Sequence, residues 1–430
     1  LEARVGELEA TQFSTTTKLK GQATFVIGAN SFGGDAKEVG GKKRADAAAA
    51  MSGATSFNYD LRLFLDTSFT GKDLLRTMLR SGNFGNSAFG AGGYVGLDGM
   101  ETAFEEGAAN NVVVNRLWYQ FPIGDSFTAT VGGRVRQDDM LAVWPSAYPA
   151  DTVLDFFTYA GAPAAYNLTL GSGAGLSWES NDFSISANYV SSNGHLSDPN
   201  SGGIATDGAG SNGTVQIAYA PENWGLAAAY TYASGENGAG VYSGNATPLA
   251  TSLSGDANTN SFGLSAWWSP EEAGWFPSIS AGWGISKGDH KDGTMDTVTV
   301  NGSALSFGLD SFTSQSWYVG LQWADAFLKG NTLGMAVGQP TFVTSLDEND
   351  KGSDVSEFVA DGNYAWELWY AFQVTDNITV TPAIYYLSRP LGEVTNGLGN
   401  SFNGSDSRDK TFNNFGGLLK TTFKFCPIKD

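Results

Sequence analysis

Ten basic residues recur at alternating positions: Lys18 and Lys20, Arg62, Arg76 and Arg80, Arg116, Arg134 and Arg136, and Lys420 and Lys424. In "FNYDLRLFLDTSFTGKDLLRTMLR" (57–80), Leu61, Leu63 and Leu65 alternate with Arg62, Phe64 and Asp66. After the turn "TGKD", Leu75 and Leu79 alternate with Arg76 and Arg80. A period of two puts the two sets on opposite faces of a strand. A wall of guanidinium and ammonium groups facing water biases which ions pass along it. The same groups can instead form salt bridges that brace a neighbouring segment, and the two roles are compatible.

A second constellation follows in the segment 138–170. It carries Asp138, Asp139, Asp151 and Asp155, and the apolar run "TVLDFFTYA" with Phe156, Phe157 and Tyr159. A loop in water gains nothing from such aromatics. Folded inward, it would pack them against wall side chains and form a constriction. Its acids would then face the basic arc and set up a transverse field.

Catalytic and metal chemistry find little support. His195 and His290 fall in long polar loops with no partners in view for a Ser-His-Asp machine or a histidine metal site. The stretch "DENDKGSDVSE" (347–357) puts Lys351 where a calcium loop needs a ligand oxygen, and strands flank it. "GNFGNSAFGAGG" lacks the Lys-Ser/Thr of a phosphate-binding loop. The expectation is no enzyme, no cofactor and no metal site. Cys426 is the one cysteine, so no disulfide forms within the chain.

Composition narrows the class. The chain of 430 residues has 56 glycines and 13% aromatics but only 16% charged residues, with a mean hydropathy of −0.17. Those values point to many turns and many strands. No run of eighteen apolar residues appears, which excludes a transmembrane helix. A net charge of −20 argues against nucleic acid as a partner.

From Lys18 onward, segments of period two follow one another. Leu19, Ala23, Phe25 and Ile27 oppose Lys18, Lys20, Gln22 and Thr24. Phe127, Ala129, Val131 and Val135 oppose Thr128, Thr130, Arg134 and Arg136. Tyr364, Trp366, Leu368, Tyr370 and Phe372 oppose Glu367 and Gln373, and Phe415, Leu419, Phe423 and Phe425 oppose Lys420, Thr422 and Lys424. Connections alternate between short turns ("TGKD", "PIGDS", "SND", "PEN", "TDN") and long polar loops, including 82–110, 138–170 and 288–313. This pattern describes a closed antiparallel transmembrane β-barrel over 17–430, all-β, with apolar rows facing lipid and basic rows facing water. Closure leaves no strand edge unpaired in the bilayer. The count is about sixteen strands, or fourteen if the short strand at 74–81 and one partner are absent. Trp118, Tyr119, Phe121, Trp267, Trp268, Trp323, Phe372, Phe423 and Phe425 end strands beside short turns and read as a girdle at the lipid headgroups. Leu1, Val5 and Leu8 make one heptad, so residues 1–16 read as the end of a helical coiled-coil spacer or as a short frayed helix, and the chain as a mature or trimmed product.

"LFLDTSFTGKDLLRTMLRSGNF", "NRLWYQFPIGDSFTATVGGR" and "WELWYAFQVTDNITVTPAIYYLSRP" together resemble the cyanobacterial major outer-membrane porins, also called iron uptake porins, of the carbohydrate-selective porin superfamily. The resemblance runs from about Gln12 to Phe425. It implies a homotrimer in the outer membrane of a Gram-negative-type bacterium, in contact with lipid and lipopolysaccharide. It further implies passive passage of small hydrophilic solutes, chiefly inorganic ions, with iron among them for some members. The family's N-terminal domain, which binds peptidoglycan-linked polymer, is not in this sequence. The alternative is a structural tether between outer membrane and cell wall with little transport.

Overall fold

The computed structural model describes residues 16–425, apart from 39, 91, 151–152, 291–294, 301–302, 349–358 and 397–409. The heptad segment, Asp151, Cys426 and most of 347–357 lie outside the described residues.

Strands dominate. The first five are β1 (Thr17–Gly33), β2 (Ser56–Thr67), β3 (Leu74–Gly82), β4 (Val113–Ile123) and β5 (Phe127–Arg136). The next six are β6 (Leu170–Ser180), β7 (Phe183–Ser191), β8 (Ser211–Tyr219), β9 (Trp224–Ser234), β10 (Asn258–Trp268) and β11 (Ser278–Asp289). The last six are β12 (Met295–Val300), β13 (Ser303–Ala324), β14 (Thr332–Glu348), β15 (Tyr364–Thr375), β16 (Ile378–Ser388) and β17 (Asn413–Phe425). Two short helices, α1 (Arg44–Ser52) and α2 (Pro248–Gly255), lie in long loops.

Neighbouring strands pair antiparallel, and β17 pairs with β1, placing Ile27 opposite Leu419 and Val26 opposite Lys420. Sixteen strands thus close into a barrel. β12 stands outside the ring and makes a hairpin with the first residues of β13, while β11 pairs with β13 directly from Ser311 onward. The segment 288–313, expected as loop, therefore contains this hairpin. The short strand at 74–82 is present and pairs with both neighbours.

Polarity is inverted relative to a water-soluble sheet. Phe25, Ile27, Phe57, Val131, Ile185, Ile217, Leu226, Leu264 and Leu368 are exposed on the outside. Thr24, Asp60, Ser186, Thr214, Gln216, Thr231, Ser261 and Ser280 are buried on the inside. The apolar rows seek lipid, and the polar rows need the hydrogen bonds that the interior supplies.

Two departures from strict alternation have local causes. A bulge between Gly132 and Val135 shifts the β5 register. Val135, expected to face outward with Val131, is fully buried and packs with Trp118, Met140 and Val190. Trp118, expected at the lipid girdle, points inward and is buried. Trp268 is exposed, whereas its neighbour Trp267 covers the inward Gly225 on β9.

Turns and outer loops are fixed by carboxylates. Between β2 and β3, Asp73 Oδ1 accepts from Phe69 N at 3.0 Å and Thr70 N at 2.8 Å, and Oδ2 accepts from Tyr119 Oη at 2.7 Å. Gly71, at φ +82°, supplies the left-handed residue of this turn. Burial opposes ionisation of Asp73, but hydrogen bonds from Thr70, Tyr119 and Ser68 outweigh it and hold the carboxyl well below the usual range. On the long-loop side, Asp361 is fully buried and accepts from Thr247 Oγ1 at 2.5 Å, Val343 N at 2.8 Å and Glu393 N at 2.8 Å. It ties three separate loops together. Burial pushes its carboxyl up to about 7, against those hydrogen bonds.

Candidate functional site

Strands β17 and β1 to β5 form the basic wall, and acids within reach compensate it. Lys20 Nζ lies 3.3 Å from Asp66, which also takes two bonds from Arg76 at 2.8 and 2.9 Å. The Arg76 guanidinium lies over Phe64 and Trp118, 5.4 and 5.3 Å from their ring centres, which explains why Trp118 turns inward. Arg62 bonds Asp60 at 2.6 Å and Glu101 at 3.1 Å. Arg80 bonds Asp60 at 2.7 and 3.2 Å. Arg116 bonds Asp139 at 2.8 Å, and Arg136 bonds both oxygens of Asp138 at 2.5 Å. Lys18 pairs in register with Asp66, Lys420 is buried on the inward row of β17, and Lys424 is exposed near the short-turn end.

Arg134 is the exception. The bulge sets it in register with the outward, exposed Leu117, and it pairs with Glu106 at 2.7 Å on the rim. It therefore departs from the inward row assigned to it by alternation.

The loop 137–169 folds into the barrel and lies on the opposite wall. Ser186 on β7 accepts from Ala142 N at 2.9 Å, Gln216 on β8 donates to Val143 O at 2.8 Å, and Thr231 on β9 donates to Ala165 O at 2.7 Å. Ser280 on β11 accepts from Tyr148 N at 2.9 Å, and Ser316 on β13 donates to Gly161 O at 2.8 Å. Each is an uncharged polar residue at an inward position, suited to satisfying the backbone of a buried loop.

Glycines provide the close seat. A Cβ on Gly282 would lie 1.8 Å from Ala160 O, and one on Gly320 would lie 2.6 Å from the Tyr148 ring. Read from sequence, these glycines were indistinguishable from turn glycines. In the fold they let the loop approach the strand backbone. Phe156, Phe157 and Tyr159 are buried in this arrangement.

A second loop, between β3 and β4, also enters the lumen and meets the first. Met100 and Leu154 form an antiparallel bridge, with Glu101 N donating to Val153 O at 3.3 Å and Asp155 N to Gly99 O at 2.9 Å. A crossbar of two loops thus spans the interior. Beside it lies a cavity of about 370 Å³, lined by Arg80, Arg136, Glu101, Asp138, Asp155 and Trp144 among others.

Electrostatics there follow from burial and pairing. Burial opposes ionisation of Asp138, but Arg136 and Arg116 overcome it and hold the carboxyl low. Asp139, buried next to Asp138, is pushed up. Asp155 is pushed up to about 6, chiefly by burial, while a 2.8 Å hydrogen bond from Asn245 Nδ2 opposes the rise.

Sequence reasoning gave no site role to Asp60, Asp66, Glu101, Trp144, Tyr148 or Glu367, although it set Asp66 and Glu367 on the polar faces of their strands. For Asp60 and Asp66 the signal was available, because both share the inward parity of Arg62. No group of histidine, cysteine and carboxylate side chains able to hold a metal occurs among the described residues.

Comparisons with known proteins agree with this architecture. Residues 1–425 match the family described as carbohydrate-selective porin, OprB family. An uncharacterized protein of Nostoc is 28% identical over 99% of this chain and 68% of its own length. An uncharacterized protein of Synechocystis is 29% identical over 92% of this chain and 69% of its own length. The structure of Pseudomonas putida OprB superposes with a TM-score of 0.54 at 13% identity, covering 98% of this chain and 96% of that one, a likeness of fold. The chain belongs to the OprB family of carbohydrate-selective porins, diffusion channels of the outer membrane rather than enzymes.

Proposed function

We propose that this porin passes small hydrophilic solutes, chiefly inorganic ions with iron among them, between the inward loop and the basic wall. One observation carries the reading. The loop covers the inner faces of strands from β7 to β15, while Arg80 and Arg136 face a polar cavity on its other side. Solutes therefore pass beside guanidinium and carboxylate groups together.

The pairing of the basic wall bears on selectivity. Arg62, Arg76, Arg80, Arg116 and Arg136 each have a carboxylate within 2.9 Å. Fixed charges in close pairs largely cancel beyond a Debye length of about 8 Å at physiological salt. The geometry thus favours weak ion selectivity over the strong anion preference that ten unpaired cations would give. A homotrimer is proposed as the assembled form.

Planar-bilayer recording tests the reading. Purified protein is expected to give discrete conductance steps, and a salt gradient a small reversal potential. Ferrous ion is expected to enter proteoliposomes loaded with a chelating dye. Absence of conductance from inserted, folded protein would overturn the proposal. Light scattering of the detergent-solubilised protein reports the trimer.

A further inference from the structure

We propose that Glu367 is the positioning residue that sets the aperture of this pore, acting through Tyr148 and Leu154 of the inward loop. The inference rests on the porin reading above and names the group that holds its narrow point in place.

Glu367 sits at an inward position of β15 and is 1% exposed. Its Oε1 accepts from Tyr148 Oη at 2.8 Å, and its Oε2 accepts from Leu154 N at 2.7 Å. Trp369, two residues along the same strand, donates Nε1 to Tyr148 Oη at 2.8 Å. The Tyr148 hydroxyl is therefore both donor and acceptor in one clasp. Its ring lies edge-on to Tyr318 and tilted against Trp369, with Gly320 beneath it.

A carboxylate is the side chain suited to this place. It offers acceptor oxygens on both sides, and both partners here are donors. A glutamine would keep one acceptor and turn an amide N–H toward the other donor. Burying a charged group is unfavourable unless hydrogen bonds compensate it. The acid is thus retained where the loop needs it, on a wall whose other side-chain bonds to the loop backbone come from uncharged Ser186, Gln216, Thr231, Ser280 and Ser316.

Leu154 makes the clasp reach further. Its N–H goes to Glu367, while the flanking Val153 O and Asp155 N bond the second loop at Glu101 and Gly99. Glu101 in turn accepts from Arg62 on β2. A continuous line of hydrogen bonds runs from β15 across the crossbar to the basic wall. Release at Glu367 loosens the inward loop at Tyr148 and Leu154 and, through the Met100–Leu154 bridge, the second loop, while the bonds to Ser186, Gln216, Thr231 and Ser316 stay in place.

Single-channel recording of Glu367→Gln, Glu367→Asp and Tyr148→Phe tests this, together with liposome swelling in a size series of uncharged polyols. Current through one inserted channel does not depend on how much protein folds, so a general folding defect does not imitate the effect. Glu367→Gln is expected to raise unitary conductance on the order of two-fold, because conductance scales with open cross-section, and to add current noise. It is also expected to admit larger polyols. Glu367→Asp, which keeps both acceptor oxygens on a shorter arm, is expected to fall between Glu367→Gln and the unsubstituted protein. Tyr148→Phe is expected to shift in the same direction and decides the matter alone if Glu367→Gln does not insert. Unchanged conductance, noise and size limit in inserted Tyr148→Phe and Glu367→Gln channels would overturn the proposal. A silent unsubstituted protein would instead defeat the porin reading beneath it.

Discussion

Arg80 grips Asp60 across the β2–β3 pair, Nε to Oδ1 at 2.7 Å and Nη2 to Oδ2 at 3.2 Å, while Arg62 holds the same carboxylate at 2.6 Å. The side chain of Asp60 is fully buried between them. Replacing Asp60 with Asn leaves two guanidiniums without their shared anion. Loss of one partner from a buried pair costs about 3 kcal/mol at the lower end. Asp60→Asn is therefore expected to melt earlier in detergent. Among channels that insert, the reversal potential is expected to move toward anion preference. An unchanged reversal potential would show that the wall does not set selectivity.

Asp155 offers a test through pH. Its carboxyl titrates near 6, and the groups facing it are Asn245, Glu101, Tyr159 and Arg136. As pH climbs through 6, the cavity gains a negative charge. The permeability ratio of potassium to chloride is expected to rise between pH 5 and 7. Asp155→Asn is expected to flatten that rise, and a wild-type slope in this variant would count against the assignment.

Asp361 predicts a stability profile. Its folded-state value of about 7 lies above the ordinary 3.8. The folded protein holds a proton in that interval that the unfolded chain has released. The resulting stabilisation is complete below the ordinary value and is lost as pH rises through about 7. Melting temperature is expected to decline from pH 5 to 8 in wild type, and less steeply in Asp361→Asn. Equal slopes would rule out Asp361 as the source.

The outer surface can be probed at Ile217, which is 55% exposed on β8. An arginine on the lipid face costs up to about 2–4 kcal/mol, most at the bilayer midplane and less toward the interfaces. Ile217→Arg is expected to lower the urea midpoint for folding into vesicles. The adjacent inward Gln216, replaced by Asn, is expected to leave lipid insertion nearly unchanged. Equal effects at both positions would contradict the inside-out polarity.

Much of the fold was legible in the chain because a lipid-facing strand must alternate along its whole length. Leu61, Leu63 and Leu65 announced their face without reference to any partner. Alternation fails where register depends on a distant strand. The β5 bulge exchanged Val135 and Arg134 between faces; the Gly132-Gly133 pair marks the place, but not which residues change sides. Glu367 looked like one more polar residue opposite the Trp366 and Leu368 row. Its role depends on Tyr148 and Leu154, more than 200 residues earlier. Gly282 and Gly320 were equally silent, since their use is defined by what approaches them. The basic arc was visible, but Asp60 and Asp66, which cancel much of it, were not singled out beside it.

The inward loop leaves β5, yet its seat is built by strands from β7 to β15. That seat does not exist while the chain is only half laid down. The seam where β17 meets β1 is separated from β15, the last strand of that seat, by β16 alone. Seating of this loop is therefore not a local event: it waits on staves laid down well after the loop itself.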